Sequence, residues 1–124
     1  MKIMPLINSL LIENIESWAN SIEKQYKLKD FFVSEYKNTY KLNSIIVGKE
    51  SQGHGIGSKV IEELCNKADI DKKIITLTPA IKDKNHGTTS QSRLISFYQK
   101  FGFVLNKGRN KDFAISDLMY RLPK

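Results

Sequence analysis

Cysteine, histidine and long apolar runs are scarce in this sequence of 124 residues, and each shortage excludes a class of structure. The single cysteine, Cys65, excludes an internal disulfide and fits a reducing compartment, so we expect a cytoplasmic protein. No run approaches the roughly 18 apolar residues of a membrane-spanning helix, and the N-terminal residues lack the charged-then-apolar pattern of a secretory signal. The two histidines, His54 and His86, have no partners at ligand spacing, so we expect no metal site.

Acidic side chains are also in the minority, which gives a formal net charge of +7. A basic chain can bind nucleic acid, but here the lysines are spread through every segment and no basic strip carries interleaved aromatic residues. The sequence therefore disfavours a nucleic-acid-binding domain, and a polyanionic cofactor would suit the same charge. The length predicts one domain over residues 1–124, which we expect to work as a monomer or a homodimer.

Apolar periodicity predicts an α/β fold whose elements follow the order α-β-β-α-β-α-β-β. Residues 30–36 and 40–47 are β-prone and flank a short polar turn, so we expect them to pair as a hairpin. Residues 74–78 should lie parallel to 40–47 through a right-handed crossover, which gives a mixed central sheet with a β-α-β core and flanking helices. The predicted helices cover 6–25, 57–69 and the segment between a cap at 90–92 and Gly102, and the last strands cover 103–105 and 113–122.

A glycine-rich turn lies between the apolar end of the 40–47 strand and the helix that follows it. Gly53, Gly55 and Gly57 stand at alternate positions in this turn. Such a turn can bind phosphate, because the first N–H groups of a helix have no internal partner and glycines let an anion approach the backbone. The spacing matches neither the dinucleotide fingerprint nor a P-loop, so a phosphate site and an ordinary tight turn both remain open.

Two motifs, taken together, resemble the GNAT superfamily of N-acetyltransferases. Residues 52–57 read Q-G-H-G-I-G, which is similar to the family's motif A, Gln/Arg-x-x-Gly-x-Gly/Ala. Residues 97–103 read F-Y-Q-K-F-G-F, which is similar to motif B, Leu-Tyr-x-Lys-x-Gly-Phe, and they follow the predicted β-α-β unit as in the family. The resemblance covers residues 40–103 and implies a single-domain GNAT-like fold. We expect a short version, with one N-terminal helix where two are usual.

The resemblance implies acetyl-CoA as co-substrate, no metal, and direct transfer of the acetyl group to a primary amine. It assigns the pantetheine arm to the end of the motif A strand, with the Val47 amide as oxyanion donor, and the pyrophosphate to the loop amides. The acceptor is left unidentified, either a small molecule or a protein. The residues that it assigns to acetyl-CoA are Ile45, Ile46, Val47, Gln52, Gly53, His54, Gly55, Ile56, Gly57, Ser58, Ser92, Tyr98 and Lys100. For Lys100, a contact with the CoA phosphates and a solvated side chain both remain open.

The same resemblance makes Tyr98 the general acid that protonates the leaving thiolate, although a tyrosine at this helical position also fits core packing. The motif A strand carries no carboxylate before Glu50, so Glu35 on the neighbouring strand is our best candidate for the general base. A solvated Glu35, His86 and ordered water remain open as alternatives. The alternative function is a catalytically weak or inactive module of the same fold that binds CoA or a macromolecule.

Overall fold

The predicted alternation of helices and strands is confirmed in the computed structural model, which describes residues 14–48, 55–79 and 91–124. These residues form three α-helices, a single-turn 3₁₀ helix and a five-stranded mixed sheet, in the predicted order. The helices are α1 (Ile15–Tyr26), α2 (Ile56–Asp71) and α3 (Gln91–Gln99), and the strands are β1 (Asp30–Tyr36), β2 (Thr39–Ile46), β3 (Ile74–Leu77), β4 (Val104–Leu105) and β5 (Met119–Arg121).

The strands lie in the order β1-β2-β3-β5-β4. β1 and β2 form the expected antiparallel hairpin, and β3 pairs with β2 in parallel after the α2 crossover, as predicted. β5 is antiparallel to both of its neighbours. The sheet is therefore mixed, and the β2-α2-β3 unit lies at its centre.

β2 contains a bulge close to the middle of the hairpin. Leu42 lies opposite Val33 and Ser44 lies opposite Phe32, so Asn43 has no cross-strand partner of its own. The Asn43 side chain instead donates from Nδ2 to the Ser34 hydroxyl at 2.9 Å. Because bulges increase the local twist of a strand, this one redirects the last residues of β2.

One face of the sheet carries the hydrophobic core. Alternate residues of β1 and β3 point into it, and the Trp18 ring of α1 packs against Phe31 with centroids 6.1 Å apart. Cys65 lies in this core as expected, and burial raises the pKa of its thiol to about 11, which keeps it protonated and unreactive. The largest fully buried side chains are Phe31, Phe103, Ile61, Leu64, Ile75, Leu77, Met119, Val33 and Val60.

The helix ends follow local sequence signals. α1 begins after Asn14, whose side chain accepts the Ser17 N–H at 2.8 Å, and it ends at Lys27 in the left-handed conformation. Residues 6–13 of the predicted first helix lie outside the described residues. α3 ends at Gln99, and Gly102 beyond it has a positive φ of 96°, the conformation that favours glycine in this turn.

The last strand is shorter than the prediction of 113–122, because a buried asparagine takes the carbonyls that a longer strand would need. The Asn106 side chain donates from Nδ2 to the backbone oxygens of Ile115 at 2.9 Å and Asp117 at 3.1 Å, and it accepts the Asp112 N–H at 2.7 Å. Residues 112–117 therefore form an irregular loop around this side chain, and β5 starts only at Met119.

Candidate functional site

The strands β2 and β3 pair over only three residues each, and β3 ends one residue after the last pair, at Leu77. Lys41 opposite Thr76 is the last pair, whereas β2 continues along β1 as far as Ile46. In the described part of the chain, residues 42–46 therefore have no strand partner on their β3 side. An edge of this kind offers backbone N–H and C=O groups to an extended ligand that lies along it.

α2 is the next described element along the chain after β2, and its N-terminus is uncapped. Gly55 is the N-cap, with a left-handed φ of 74°, and no side chain caps the helix. No acidic residue stands in the first turn, and the first helical bond joins the Lys59 N–H to the Gly55 carbonyl at 3.1 Å. The N–H groups ahead of Lys59 accordingly point out of the helix, where the dipole favours an anion.

The two glycines of this turn within the described residues are constrained differently. A Cβ on Gly55 would meet no atom within 4 Å, so the positive φ, rather than space, restricts this position. A Cβ on Gly57 would lie 4.0 Å from Cζ of Phe97, an ordinary contact. Gln52, Gly53 and His54 lie outside the described residues.

Tyr98 lies on α3 in the aromatic cluster that touches α2. Its side chain is 6% exposed, and its ring makes edge contacts with Phe97 at 5.2 Å and Phe103 at 5.6 Å. Burial raises the pKa of Tyr98 to about 12, so its hydroxyl keeps the proton at neutral pH. No described residue hydrogen-bonds this hydroxyl. It is therefore available as a donor to a ligand near Phe97 and the first turn of α2.

Ser92 and Lys100 lie near the two ends of α3, and both are exposed. Ile45 packs against the core, whereas Ile46, the last residue of β2, is only half-buried. The predicted cofactor residues that the structure describes belong to a region of three segments, the end of β2, the start of α2 with its cap, and α3 with the residue after it. Of these segments, the start of α2 and α3 approach each other, since a Cβ on Gly57 would lie 4.0 Å from Phe97 Cζ.

Glu35 is not part of this region. It lies opposite Tyr40 near the hairpin turn, and its carboxylate forms an ion pair with Lys73 at 2.7 Å. Ile46 lies six residues further along β2 than Tyr40, which at about 3.3 Å per residue is roughly 20 Å. The geometry therefore gives the predicted base role of Glu35 no support. His86, the other side chain considered for that role, lies outside the described residues.

A different carboxylate lies next to the end of β2. Asp30 is the cross-strand partner of Ile46, and its Oδ2 accepts a short hydrogen bond from the Ser44 hydroxyl. Our sequence analysis did not single out Asp30. The signal was nonetheless present, because pairing 30–36 with 40–47 in antiparallel places the first residue of β1 against the last of β2.

Two searches of the described residues are negative. They contain no group of three or more His, Cys, Asp or Glu side chains arranged to hold a metal ion. Across the same parts of the chain, no helix combines the length and the apolar character needed to cross a membrane.

The sequence matches the model of one known protein family. The family model described as acetyltransferase (GNAT) domain matches residues 27–105. No curated protein matches the sequence.

Among solved structures, the anti-CRISPR protein AcrVA5 is 24% identical with a TM-score of 0.54, and the match covers 73% of this chain and 85% of that one. Ard1 from Thermoplasma volcanium is 15% identical with a TM-score of 0.54, over 94% and 86% of the two chains. A protein from Bacteroides thetaiotaomicron assigned to the GNAT family is 21% identical with a TM-score of 0.48, over 73% and 50%. At these identities the first two likenesses show a shared fold.

Proposed function

Because the chain belongs to the GNAT family of acetyltransferases, we propose that it binds acetyl-CoA and transfers the acetyl group directly to a primary amine. The observation that carries this proposal is the pairing of an uncapped α2 N-terminus with a strand edge of β2 that has no described strand partner on its β3 side. The first feature suits a pyrophosphate and the second suits the amide-bearing pantetheine arm. The acceptor is either a small molecule or a protein.

The residues present fit acetyl-CoA. The N–H groups of Ile56, Gly57 and Ser58 stand in the first turn of α2, without a capping side chain or an acidic neighbour to compete with a phosphate. The conformation of Gly55 turns the chain into the helix without placing a Cβ in the approach. The backbone of Ile45 to Val47 would hold the pantetheine arm, and the Val47 amide would donate to the carbonyl oxygen as charge develops on it.

The transfer needs a neutral amine and a stabilised leaving group. The amine nitrogen forms a bond to the carbonyl carbon, the carbon–sulfur bond breaks, one proton passes from the nitrogen to a base, and the sulfur leaves as a thiolate whose charge a hydrogen bond stabilises. We assign the stabilisation of the leaving sulfur to the hydroxyl of Tyr98. Its raised pKa suits hydrogen-bond donation to the thiolate, with full proton transfer disfavoured by burial of a phenolate. Asp30 beside Ile46 takes the proton of the amine, directly or through water, in preference to Glu35.

Two measurements test the proposal. Calorimetry should detect binding of acetyl-CoA, and a ligand at 100 times its Kd should raise the free energy of unfolding by about 2.7 kcal/mol. Release of the CoA thiol should then depend on both the protein and an added amine, in a panel of polyamines, aminoglycosides, amino acids and lysine peptides. Absence of acetyl-CoA binding by the folded protein would contradict the proposal.

One observation favours the alternative, a CoA-binding module without catalysis. β2 carries no carboxylate along its length, and Glu35 is held in an ion pair near the hairpin turn, away from the end of β2. Tight acetyl-CoA binding with no amine-dependent release of thiol across the panel would support this second function.

A further inference from the structure

The stretch of β2 that has no described strand partner on its β3 side, residues 42–46, carries a single hydroxyl side chain, that of Ser44. Ser44 directly precedes Ile45, the first residue whose backbone we assign to the pantetheine arm, and its side chain is half-buried. A polar side chain that a ligand can reach therefore adjoins the backbone proposed to hold the cofactor.

The bulge in β2 decides which face of the sheet Ser44 occupies. Leu42 points into the core, and in a regular strand Ser44 would share its face. Because Asn43 is the extra residue of the bulge, Ser44 instead lies opposite Phe32, which alternates with the buried Phe31. Ser44 and Phe32 therefore point to the face opposite the core, where Phe32 is 45% exposed and an incoming amine has access.

The hydrogen bond of Ser44 runs in the direction that a proton would have to take. The Ser44 hydroxyl donates its one proton to Oδ2 of Asp30. Within the described residues nothing donates to the Ser44 oxygen, so its lone pairs can accept an N–H group. The same part of the chain supplies no cation paired with Asp30. An amine bound to the Ser44 oxygen would thus be connected to a carboxylate by two successive hydrogen bonds.

The position of Asp30 makes such a connection necessary. Asp30 lies on β1, and β1 borders β2 on the side away from β3. A ligand that lies along the β3-side edge of β2 is about two strand spacings, roughly 10 Å, from β1. That separation exceeds a hydrogen bond and the short aspartate side chain together, so a group on β2 has to connect the amine to Asp30.

The distance along β2 suits Ser44 for this role. Ser44 precedes Val47 by three residues, which is roughly 10 Å at about 3.3 Å per residue. A hydrogen bond of about 2.9 Å from the Val47 amide to the carbonyl oxygen, an attack distance of about 3–3.5 Å and a second hydrogen bond of about 2.9 Å to Ser44 span a similar length. An amine between the two residues can therefore reach the carbonyl carbon and the hydroxyl together.

We propose that Ser44 is a catalytic residue that relays the proton of the amine to Asp30, an inference that rests on the acetyltransferase function proposed above. As the nitrogen bonds to the carbonyl carbon, its proton passes to Ser44 Oγ and the hydroxyl proton passes to Asp30 Oδ2. The carbon–sulfur bond then breaks and the sulfur leaves as the thiolate. Ser44 ends the reaction unchanged, and the protonated Asp30 returns its proton to water.

Two substitutions that differ by one hydroxyl test this role. Ser44→Thr keeps the hydroxyl, Ser44→Val replaces it with a methyl group, and both residues are favourable in strands. With a strongly basic amine we expect Ser44→Val to lower kcat/KM roughly 10²-fold and Ser44→Thr to stay within about five-fold of the parent. With hydroxylamine, which is mostly neutral at pH 7, the two variants should differ little. Thr39→Val makes the same change at the hairpin end of β2 and should leave transfer unchanged.

A double-mutant cycle shows whether Ser44 acts through Asp30. In a relay, either substitution interrupts the same proton path, so Asp30→Asn combined with Ser44→Val should lose roughly 10²-fold, no more than either single variant. Independent contributions would instead multiply to a loss of roughly 10⁴-fold, and that result would contradict the relay.

The parent protein separates failure of this inference from failure of the proposed function. Transfer by the parent with parental kcat/KM in Ser44→Val would overturn the relay and uphold the acetyltransferase function. Equal losses in Ser44→Thr and Ser44→Val, or equal losses with both kinds of amine, would show that Ser44 only packs and would also overturn the relay. A folded parent that neither binds acetyl-CoA nor transfers its acetyl group would overturn both.

Discussion

Arg121 on β5 and Asp69 near the end of α2 form a bidentate ion pair, with Nη1–Oδ1 at 2.8 Å and Nη2–Oδ2 at 3.1 Å. Arg121 also donates from Nε to the carbonyl of Phe101 at 2.8 Å, and Asp69 accepts the Lys124 N–H at 3.0 Å. The pair thus joins the end of α2, the turn after α3 and the last strand.

The two partners of this ion pair should differ in their effect on stability. Asp69→Asn should lower the free energy of unfolding by about 3 kcal/mol, because Arg121, with its side chain only 5% exposed, loses its anion while staying buried. Arg121→Met should lower it by less, because Asp69 is 25% exposed and can be hydrated. Urea denaturation at neutral pH checks the order, and a larger loss in Arg121→Met would contradict it.

The same pair predicts a dependence on pH. Hydrogen bonding to Arg121 lowers the pKa of Asp69 in the folded state. The contribution of Asp69 is therefore fully present above the unfolded carboxyl pKa of about 3.9, and it is lost as the pH falls through the lower folded-state value. The stability difference between the parent and Asp69→Asn should be constant near neutral pH and should shrink below about pH 4.

Removing the Asn106 side chain should loosen the irregular loop of residues 112–117. Asn106→Ala leaves the carbonyls of Ile115 and Asp117 without their donor and should lower the free energy of unfolding by about 2–3 kcal/mol. Asn110→Ala is the matched control, because Asn110 is exposed and its hydrogen bonds within the described residues involve only its backbone N–H and carbonyl, which the substitution keeps. Equal unfolding midpoints for the two variants would show that the side-chain network does not hold the loop.

The hairpin, the crossover and the order of elements could be predicted from sequence because periodicity and short connections are local signals. The bounds of the last strand could not be predicted in this way. The predicted strand 113–122 begins with Phe113 and Ile115, but the carbonyls of Ile115 and Asp117 bind Asn106, a partner that no local pattern reveals. The prediction of Glu35 as the base was made without the strand register, in which Glu35 pairs with Tyr40 near the hairpin turn and Asp30 pairs with Ile46 at the other end of β1.

Substitutions at Gly55 and Gly57 should distinguish effects on stability from effects on acetyl-CoA binding. Gly55→Val forces a branched residue to a positive φ and should cost about 1–2 kcal/mol of stability, whereas Gly55→Asn should cost less. Gly57→Ala has space and a helical position, so it should leave stability unchanged or slightly raised. If the α2 N-terminus binds the pyrophosphate, Gly57→Ala should nevertheless weaken acetyl-CoA binding in calorimetry. Parental affinity in this variant would argue against close backbone approach at Gly57.

The variant Tyr98→Phe should show whether the Tyr98 hydroxyl takes part in catalysis or whether the side chain only packs. The ring contacts with Phe97 and Phe103 are kept, and no described residue bonds the hydroxyl, so the melting temperature should stay near that of the parent. If the hydroxyl stabilises the leaving thiolate, kcat should fall roughly 10²–10⁴-fold, with little change in acetyl-CoA affinity. A kcat within a few-fold of the parent, in a protein that binds acetyl-CoA, would remove Tyr98 from the mechanism.

Asp30 and Glu35 provide a matched pair that decides where the amine loses its proton. Asp30→Asn keeps the volume and an acceptor for the Ser44 hydroxyl but removes the negative charge beside Ile46. We expect it to lower kcat/KM by about 10²-fold for strongly basic amines, which are protonated at neutral pH, and by much less for weakly basic amines such as hydroxylamine. Glu35→Gln should lower stability slightly, since it breaks the exposed ion pair with Lys73, and leave kcat/KM unchanged. A purely structural role of Asp30 would lower the rates with both kinds of amine equally. A selective loss in Glu35→Gln would instead restore Glu35 as the base and would require the acceptor to reach the hairpin end of the sheet.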